Sequence, residues 1–548
     1  MRHPHAPRIM TRAFDLPELT TLIAQFLPKE NLLACIQVSR QWHHVFLPSL
    51  WQRIVLRDGD TIPTTTATDT VIQLHQHSDM IQSLRMPLAC GLFYTNPASD
   101  FYSPVVSDIL ILPRLQELIL SFAKSSRLMD DFRGARNFLL KNGHHLSSLE
   151  VSVMHEGRLD MSSLSFWGLF GGCKAPDNRL SKLRLEGVRM VIDELDEASR
   201  QMLMRLDTLR LKSVHFLPHF SGPETEWPRL PQWPQRLTGC KVKKLDVVEC
   251  APVLVAYRLI QDCQELRSLT WIYTEEPESV DLAPPLIQNL QAGLWPFLES
   301  LNLNINHLTD FRLAQLLEAV SPLKHLTLDI SAFGDLSSIA LLEAGSGKHS
   351  KRMETLSLSR CSALNGVMVQ RFLCEMPHLK VLRANFLTQQ NIEQDPRPWV
   401  CSQLEELRIA FLLEVLSTLD VRLMTNVILD RLEGLSQLRI LEFGKLRRTG
   451  SIVSKTSNCV YMGLHLRYGL DRLKALSRLE ELSLDEETEQ DIGVKEAQWM
   501  VDNWPRLYTV RMRFASSCQK TKMAILDVFE SQGMKKWWSG SCNLSRDG

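Results

Sequence analysis

A six-residue pattern, apolar-x-x-apolar-x-apolar, returns along most of this chain and restricts its fold more than any other feature. It reads first as Ile81-Gln-Ser-Leu84-Arg-Met86, then as Leu115-Gln-Glu-Leu118-Ile-Leu120. Further copies lie at Leu146/Leu149/Val151, Leu180/Leu183/Leu185, Leu206/Leu209/Leu211, Val242/Leu245/Val247, Leu266/Leu269/Trp271 and Leu298/Leu301/Leu303. The series continues with Leu323/Leu326/Leu328, Met353/Leu356/Leu358, Leu379/Leu382/Ala384, Leu404/Leu407/Ile409, Leu438/Leu441/Phe443, Leu479/Leu482/Leu484 and Leu507/Val510/Met512. These fifteen centres run from Leu84 to Val510 at intervals of 24 to 41 residues, with a mean near 30. The last two apolar positions alternate as on a strand that buries one face. Between copies, stretches such as Arg133-GARNFLLKN, Val253-LVAYRLIQDC, Asp310-FRLAQLLEAV and Gly366-VMVQRFLCEM carry apolar residues at helical spacing.

A strand plus a helix of this size cannot bury its own apolar face, so the units must stack on one another. The pattern resembles the leucine-rich repeat, and several copies extend into its second half. Cys250 and Cys361 stand where that repeat places Asn or Cys, with Val253 and Leu364 following, and Asn306 holds the same place in its copy. The expected fold class is therefore α/β: a solenoid over residues 79–535, with parallel strands on a concave face and helices on a convex one. The stretches 218–236 and 444–470 are insertions, the first rich in proline and tryptophan and the second basic. After residue 535 a fraying tail is expected, with Trp537 and Trp538 covering the open end of the last repeat.

The segment ahead of the repeats has a different pattern. Leu19, Leu22, Ile23, Phe26 and Leu27 form one helical stripe, which Pro28 ends. Two more apolar sets follow, Leu32/Leu33/Ile36 and Trp42/Val45/Phe46, with Ser39 placed to cap the last. Three short helices in about 40 residues offer little interior, and so small a piece needs a partner to complete its core.

Leu16-Pro17-Glu18, Val38-Ser39, Trp42 and Leu50-Trp51, in that order and spacing, resemble an F-box. The resemblance implies a three-helix domain over 13–56, preceded by a flexible tail at 1–12 and followed by a linker and irregular segment at 57–78. It also implies docking onto a Skp-family adaptor, and through it onto the cullin and RING subunits of a ubiquitin ligase. By the same resemblance the contact falls on Leu16, Pro17, Leu19, Ile23, Leu32, Val38, Trp42 and Trp51. The ending Ile492 to Phe514, with Gly469-Leu470-Asp471 and Leu473 before it, is similar to fungal F-box proteins with long leucine-rich arrays.

Composition limits the other function classes. The chain has 62 Lys+Arg and 62 Asp+Glu, which gives no global push toward nucleic acid. No apolar run is long enough to span a membrane, and MRHPHAPRIMTR lacks the apolar core of a secretion signal. The twelve cysteines form no C-x-x-C pair, which suits reduced thiols in the cytoplasm or nucleus. Gly345-Ser-Gly-Lys348 falls short of a phosphate loop, with His349 after the lysine and a helical stretch before it. His43-His44, His75/His77 and His144-His145 have no partner at metal-site spacing. No catalytic residue, metal or cofactor is expected.

What remains is the concave face, where residues beside the inward leucines point outward. Arg184, Arg210, Lys212, Asp246, Asn302, Asn304, Asp329, Arg383, Asn385, Arg408, Arg511 and Arg513 are the candidate target contacts. Their mixed signs suit a polar protein target. Two function classes follow. One is the non-catalytic substrate receptor of an SCF-type ligase. The other is a binding scaffold that works without ubiquitin transfer.

Overall fold

The computed structural model describes residues 16–56, 64–87, 110–123, 128–154, 166–174, 178–191, 196–217, 239–273, 281–305, 308–329, 332–359, 361–414, 420–443, 459–484, 489–490, 492–514, 519–531, 533 and 535–537. The chain divides into two compact units, Met1–Glu265 and Leu266–Gly548.

The first unit opens with three helices, α1 (Pro17–Phe26), α2 (Lys29–Cys35) and α3 (Arg40–Gln52). Proline at the first position of α1 sets a helical φ where no amide hydrogen is needed, and Glu18 favours the positive end of the helix dipole. The Ser39 hydroxyl accepts the Trp42 amide at 3.2 Å and caps α3, as its place in the sequence predicts. Among the described residues, seven parallel strands of one sheet follow: Arg53–Val55, Ser83–Pro87, Glu117–Ala123, Ser148–Met154, Lys182–Glu186, Thr208–Lys212 and Lys244–Val248. Their register sets Ile54, Leu84, Leu118, Leu149, Leu183, Leu209 and Leu245 side by side.

The second unit repeats the arrangement with, among the described residues, ten parallel strands of one sheet: Ser268–Tyr273, Ser300–Ile305, His325–Leu328, Thr355–Ser357, Val381–Thr388, Glu406–Glu414, Ile440–Phe443, Glu481–Leu484, Thr509–Arg511 and Lys535–Trp537. Here Leu269, Leu301, Leu326, Leu356, Leu382, Leu407, Leu441, Leu482 and Val510 share one row. Each predicted centre thus lies in a strand, and helices alternate with the strands. The fold is α/β, N-terminal helices followed by stacked leucine-rich repeats.

The repeats are joined by more than leucine. The Cys250 thiol donates to the Leu211 carbonyl at 3.6 Å and the Cys361 thiol to the Leu328 carbonyl at 3.5 Å, each reaching the strand of the preceding repeat. The Asp310 carboxylate accepts the amides of Gly334 (2.9 Å), Leu336 (3.0 Å) and Ser337 (3.0 Å), capping the helix Asp335–Gly347 of the next repeat. Burial pushes the Asp310 pKa up, but these hydrogen bonds outweigh it and hold the group below its ordinary value. Lys348 donates to the carbonyls of Glu318 (2.7 Å) and Val320 (2.8 Å) at the end of the helix Asp310–Ala319. His349 is fully buried; its Nδ1 accepts the Leu323 amide at 3.1 Å and its Nε2 faces the Leu317 carbonyl at 2.8 Å. Gly345-Ser-Gly-Lys348 is therefore a joint between repeats, with its lysine spent on backbone carbonyls.

Four sequence expectations change. The segment 57–78, expected as linker and irregular, carries the helix Thr64–Gln76, because the first repeat needs a helix beside its strand. The strand Arg53–Val55, assigned to the helical head, belongs to the sheet. Lys535–Trp537 adds a strand beside Thr509–Arg511 where fraying was expected to begin. Ala384, expected inward, is only half-buried and lies in a slip of register between Arg383 and Phe386; beyond the slip the fully buried Leu387 pairs with Phe411. Asn306, Trp538, the insertion 218–236 and residues 444–458 lie outside the described residues. Cys459–Tyr461, at the end of the second insertion, pairs antiparallel with Glu406–Glu414.

Candidate docking surface on the helical head

Helix α1 packs against the rest of the head through small or polar side chains. Its inward residues are Thr20 and Ala24, with Leu27 just past its end, at i, i+4 and i+7. The Thr20 hydroxyl is satisfied by the Leu16 carbonyl at 2.7 Å. Ala24 sits with Leu32, Phe46 and Leu50 in a core of four buried residues, ringed by half-buried Leu27, Cys35, Ile36, Trp42, Leu47 and Trp51. The Trp42 and Phe46 rings meet at 5.3 Å.

The larger apolar stripe of α1 faces the other way. Leu16 (50 % exposed), Leu19, Leu22 (51 %), Ile23 and Phe26 (79 %) are all open, as are Leu33 in α2 and Val38 before α3. Burying one such side chain contributes about 1.5–3 kcal/mol, a gain that seven open side chains leave unrealised in the head alone. An apolar stripe turned outward while the small side of the helix makes the core is a candidate interaction surface.

The predicted contact set divides accordingly. Leu16, Leu19, Ile23 and Val38 lie on the open face. Pro17 starts α1 beside them. Leu32 is 5 % exposed and belongs to the head's own core, so its side chain offers nothing to a partner. Trp42 is half-buried against that core. Trp51 stacks on His77, ring centroids 4.2 Å apart. Leu22, Phe26 and Leu33 are open but were not among the predicted contacts; the signal for Leu22 and Phe26 was the i, i+3, i+7 spacing with Leu19, which gives a stripe without saying which way it faces.

The strand-face candidates are less available than the sequence implies. Arg184 pairs with Glu150 (3.4 Å) and Glu186 (3.0 Å), and Lys212 with Glu186 (2.6 Å). Arg383 pairs with Glu406 (2.6 Å), Arg408 with Glu406 (2.5 Å) and Glu442 (2.7 Å), and Arg511 with Glu481 (3.3 Å). Burial pushes the Glu406 pKa up, yet the Arg383 and Arg408 guanidinium groups bring it below the usual carboxylate value. Asn385, shifted by the bulge, donates to the Cys361 carbonyl at 2.6 Å. Asn304 is 6 % exposed, and its Oδ1 has no donor among the described residues. Asn302, Asp329, Asp246 and Arg210 are half-buried, and the side chain of Arg513 lies outside the described residues.

No group of side chains suited to a metal occurs among the described residues. Among them, too, no helix is long and apolar enough to cross a membrane. Burial raises the thiols of Cys250 and Cys374 to about 11 and those of Cys173 and Cys401 to about 12, which leaves them poor nucleophiles at neutral pH.

Residues 16–57 match the family described as F-box-like, so the head is an F-box-like domain. No curated protein matches the chain. Among solved structures, the chain is similar to one in the crystal structure of the Rad7 and Elc1 complex in yeast. The identity is 15 % over 73 % of this chain and 90 % of that one, with a TM-score of 0.37. It is also similar to the leucine-rich repeat-containing protein LegL7 from Legionella pneumophila, at 11 % identity over 87 % and 97 % and a TM-score of 0.20.

Proposed function

We propose that this protein is the substrate-recognition subunit of an SCF-type ubiquitin ligase. In this reading the F-box-like head binds a Skp-family adaptor, which links it to the cullin and RING subunits, and the repeats hold a protein target. The observation that carries it is the outward apolar stripe of α1 on a domain that matches the F-box-like family. The subunit is non-catalytic: it raises the local concentration of a target lysine beside the ubiquitin thioester. In this reading the work is done in the cytoplasm or nucleus, where twelve cysteines without a C-x-x-C pair suit reduced thiols. The likeness of the last repeats to fungal F-box proteins belongs to the same reading.

A pull-down of purified Skp-family adaptor by the full chain tests it. Leu16→Ala combined with Pro17→Ala should abolish capture while circular dichroism stays unchanged. Undiminished capture by the double variant would remove the head from the contact. Absence of capture by the unaltered chain would leave the repeats as a scaffold without ubiquitin transfer.

A further inference from the structure

The three strands Lys182–Glu186, Thr208–Lys212 and Lys244–Val248 carry an unbalanced set of charges on their outward face. The inward leucines and valine fix which side chains point out: Lys182, Arg184 and Glu186; Thr208, Arg210 and Lys212; Lys244, Asp246 and Val248. Register then aligns Lys182 with Thr208 and Lys244, and Arg184 with Arg210 and Asp246. Glu186 and Glu150 occupy Arg184 and Lys212. Lys182, Arg210 and Lys244 have no ion pair among the described residues, and Asp246 is the one carboxylate of these strands without one. Three cations against one carboxylate leave two positive charges unmatched. The Nε atoms of Arg184 and Arg210, neighbours across the ladder, are buried and find no acceptor among the described residues. On the strands of the second unit, by contrast, Arg383, Arg408 and Arg511 each meet a glutamate.

We propose that this face binds an acidic segment of a partner protein, an extended stretch bearing several aspartate or glutamate side chains. The inference rests on the reading of the repeats as the target-holding part and names the chemistry of what they hold. Spacing decides between carboxylates and a single phosphate. Strands lie about 4.8 Å apart, so Lys182 and Lys244 stand roughly 10 Å apart, and Arg210 is a same-face step of about 6.6 Å further along. One phosphate cannot span that set. Carboxylates on alternate residues of an extended chain, about 7 Å apart, can. Such contacts are screened by salt and steer association.

The test uses the full chain bound to its adaptor and fluorescent peptides of about twelve residues. One alternates Glu with Ser, a second replaces Glu by Gln, and a third is the Gln peptide with a single phosphoserine; a single-stranded RNA of similar length completes the set. The Glu peptide should bind, and more weakly as salt rises. Arg210→Ser with Lys244→Ser should weaken it about tenfold, Asp246→Asn should tighten it severalfold, and Arg408→Ser should leave it unchanged. Equal binding of the Gln peptide, binding of only the phosphopeptide or only the RNA, or an unaltered affinity in the double variant would overturn the proposal. Adaptor capture is read separately in each variant, so loss of head docking and loss of peptide binding are distinguished.

Discussion

Leucine does opposite work in the head and in the repeats. Leu382 and Leu407, on neighbouring strands, are fully buried because each repeat lies against the next. Leu16, just before α1, and Leu22 on it are about half open. The difference is one of supply. A repeat receives a matching apolar face on each side, whereas the head fills its interior with Ala24, Leu32, Phe46 and Leu50 and, among the described residues, has no further layer to cover α1. Apolar burial in the repeats is structural, and apolar exposure in the head is unfinished packing that a second protein can complete.

This contrast can be broken by substitution. The largest effect is expected for Leu382→Ala, which leaves a cavity in a continuous core and should cost about 2–5 kcal/mol in urea unfolding. A loss below about 1 kcal/mol would show that the repeats do not share their cores as described. The next effect is electrostatic. Burial lowers the His349 pKa to about 4, with Lys348 adding to the shift and the Leu317 carbonyl opposing it. The ordinary value is 6.5, so the unfolded chain takes up the proton first as pH falls. The stabilisation is present above pH 6.5 and declines between 6.5 and 4 by about 3 kcal/mol. Unfolding followed across that range should lose this slope in His349→Gln. The smallest effect belongs to the head: Leu22→Ser with Phe26→Ser should change stability by less than about 0.5 kcal/mol, since neither side chain contributes to the core.

Much of the fold was legible because a period survives small errors. One irregular residue, Ala384, did not obscure the other inward positions, and the slip of register around it shows only once the strands are aligned. The helix Thr64–Gln76 was missed because its threonine-rich opening has weak apolar spacing. The docking face was legible in part. Spacing finds a stripe on α1, but which side packs inward depends on how closely α1 approaches Phe46, and that depends on Ala24 being small. The strand face was the least readable, since the pairing of Arg408 with Glu442 links residues 34 apart in sequence. That pairing exists only once the register aligns their strands.

The central claim is that the outward stripe of α1 is an adaptor-binding surface, and calorimetric titration of a Skp-family adaptor into the full chain tests it most directly. The unaltered protein should bind, and Leu22→Ser with Phe26→Ser should weaken binding at least about a hundredfold while leaving the unfolding midpoint where it was. Full affinity in that variant would contradict the account.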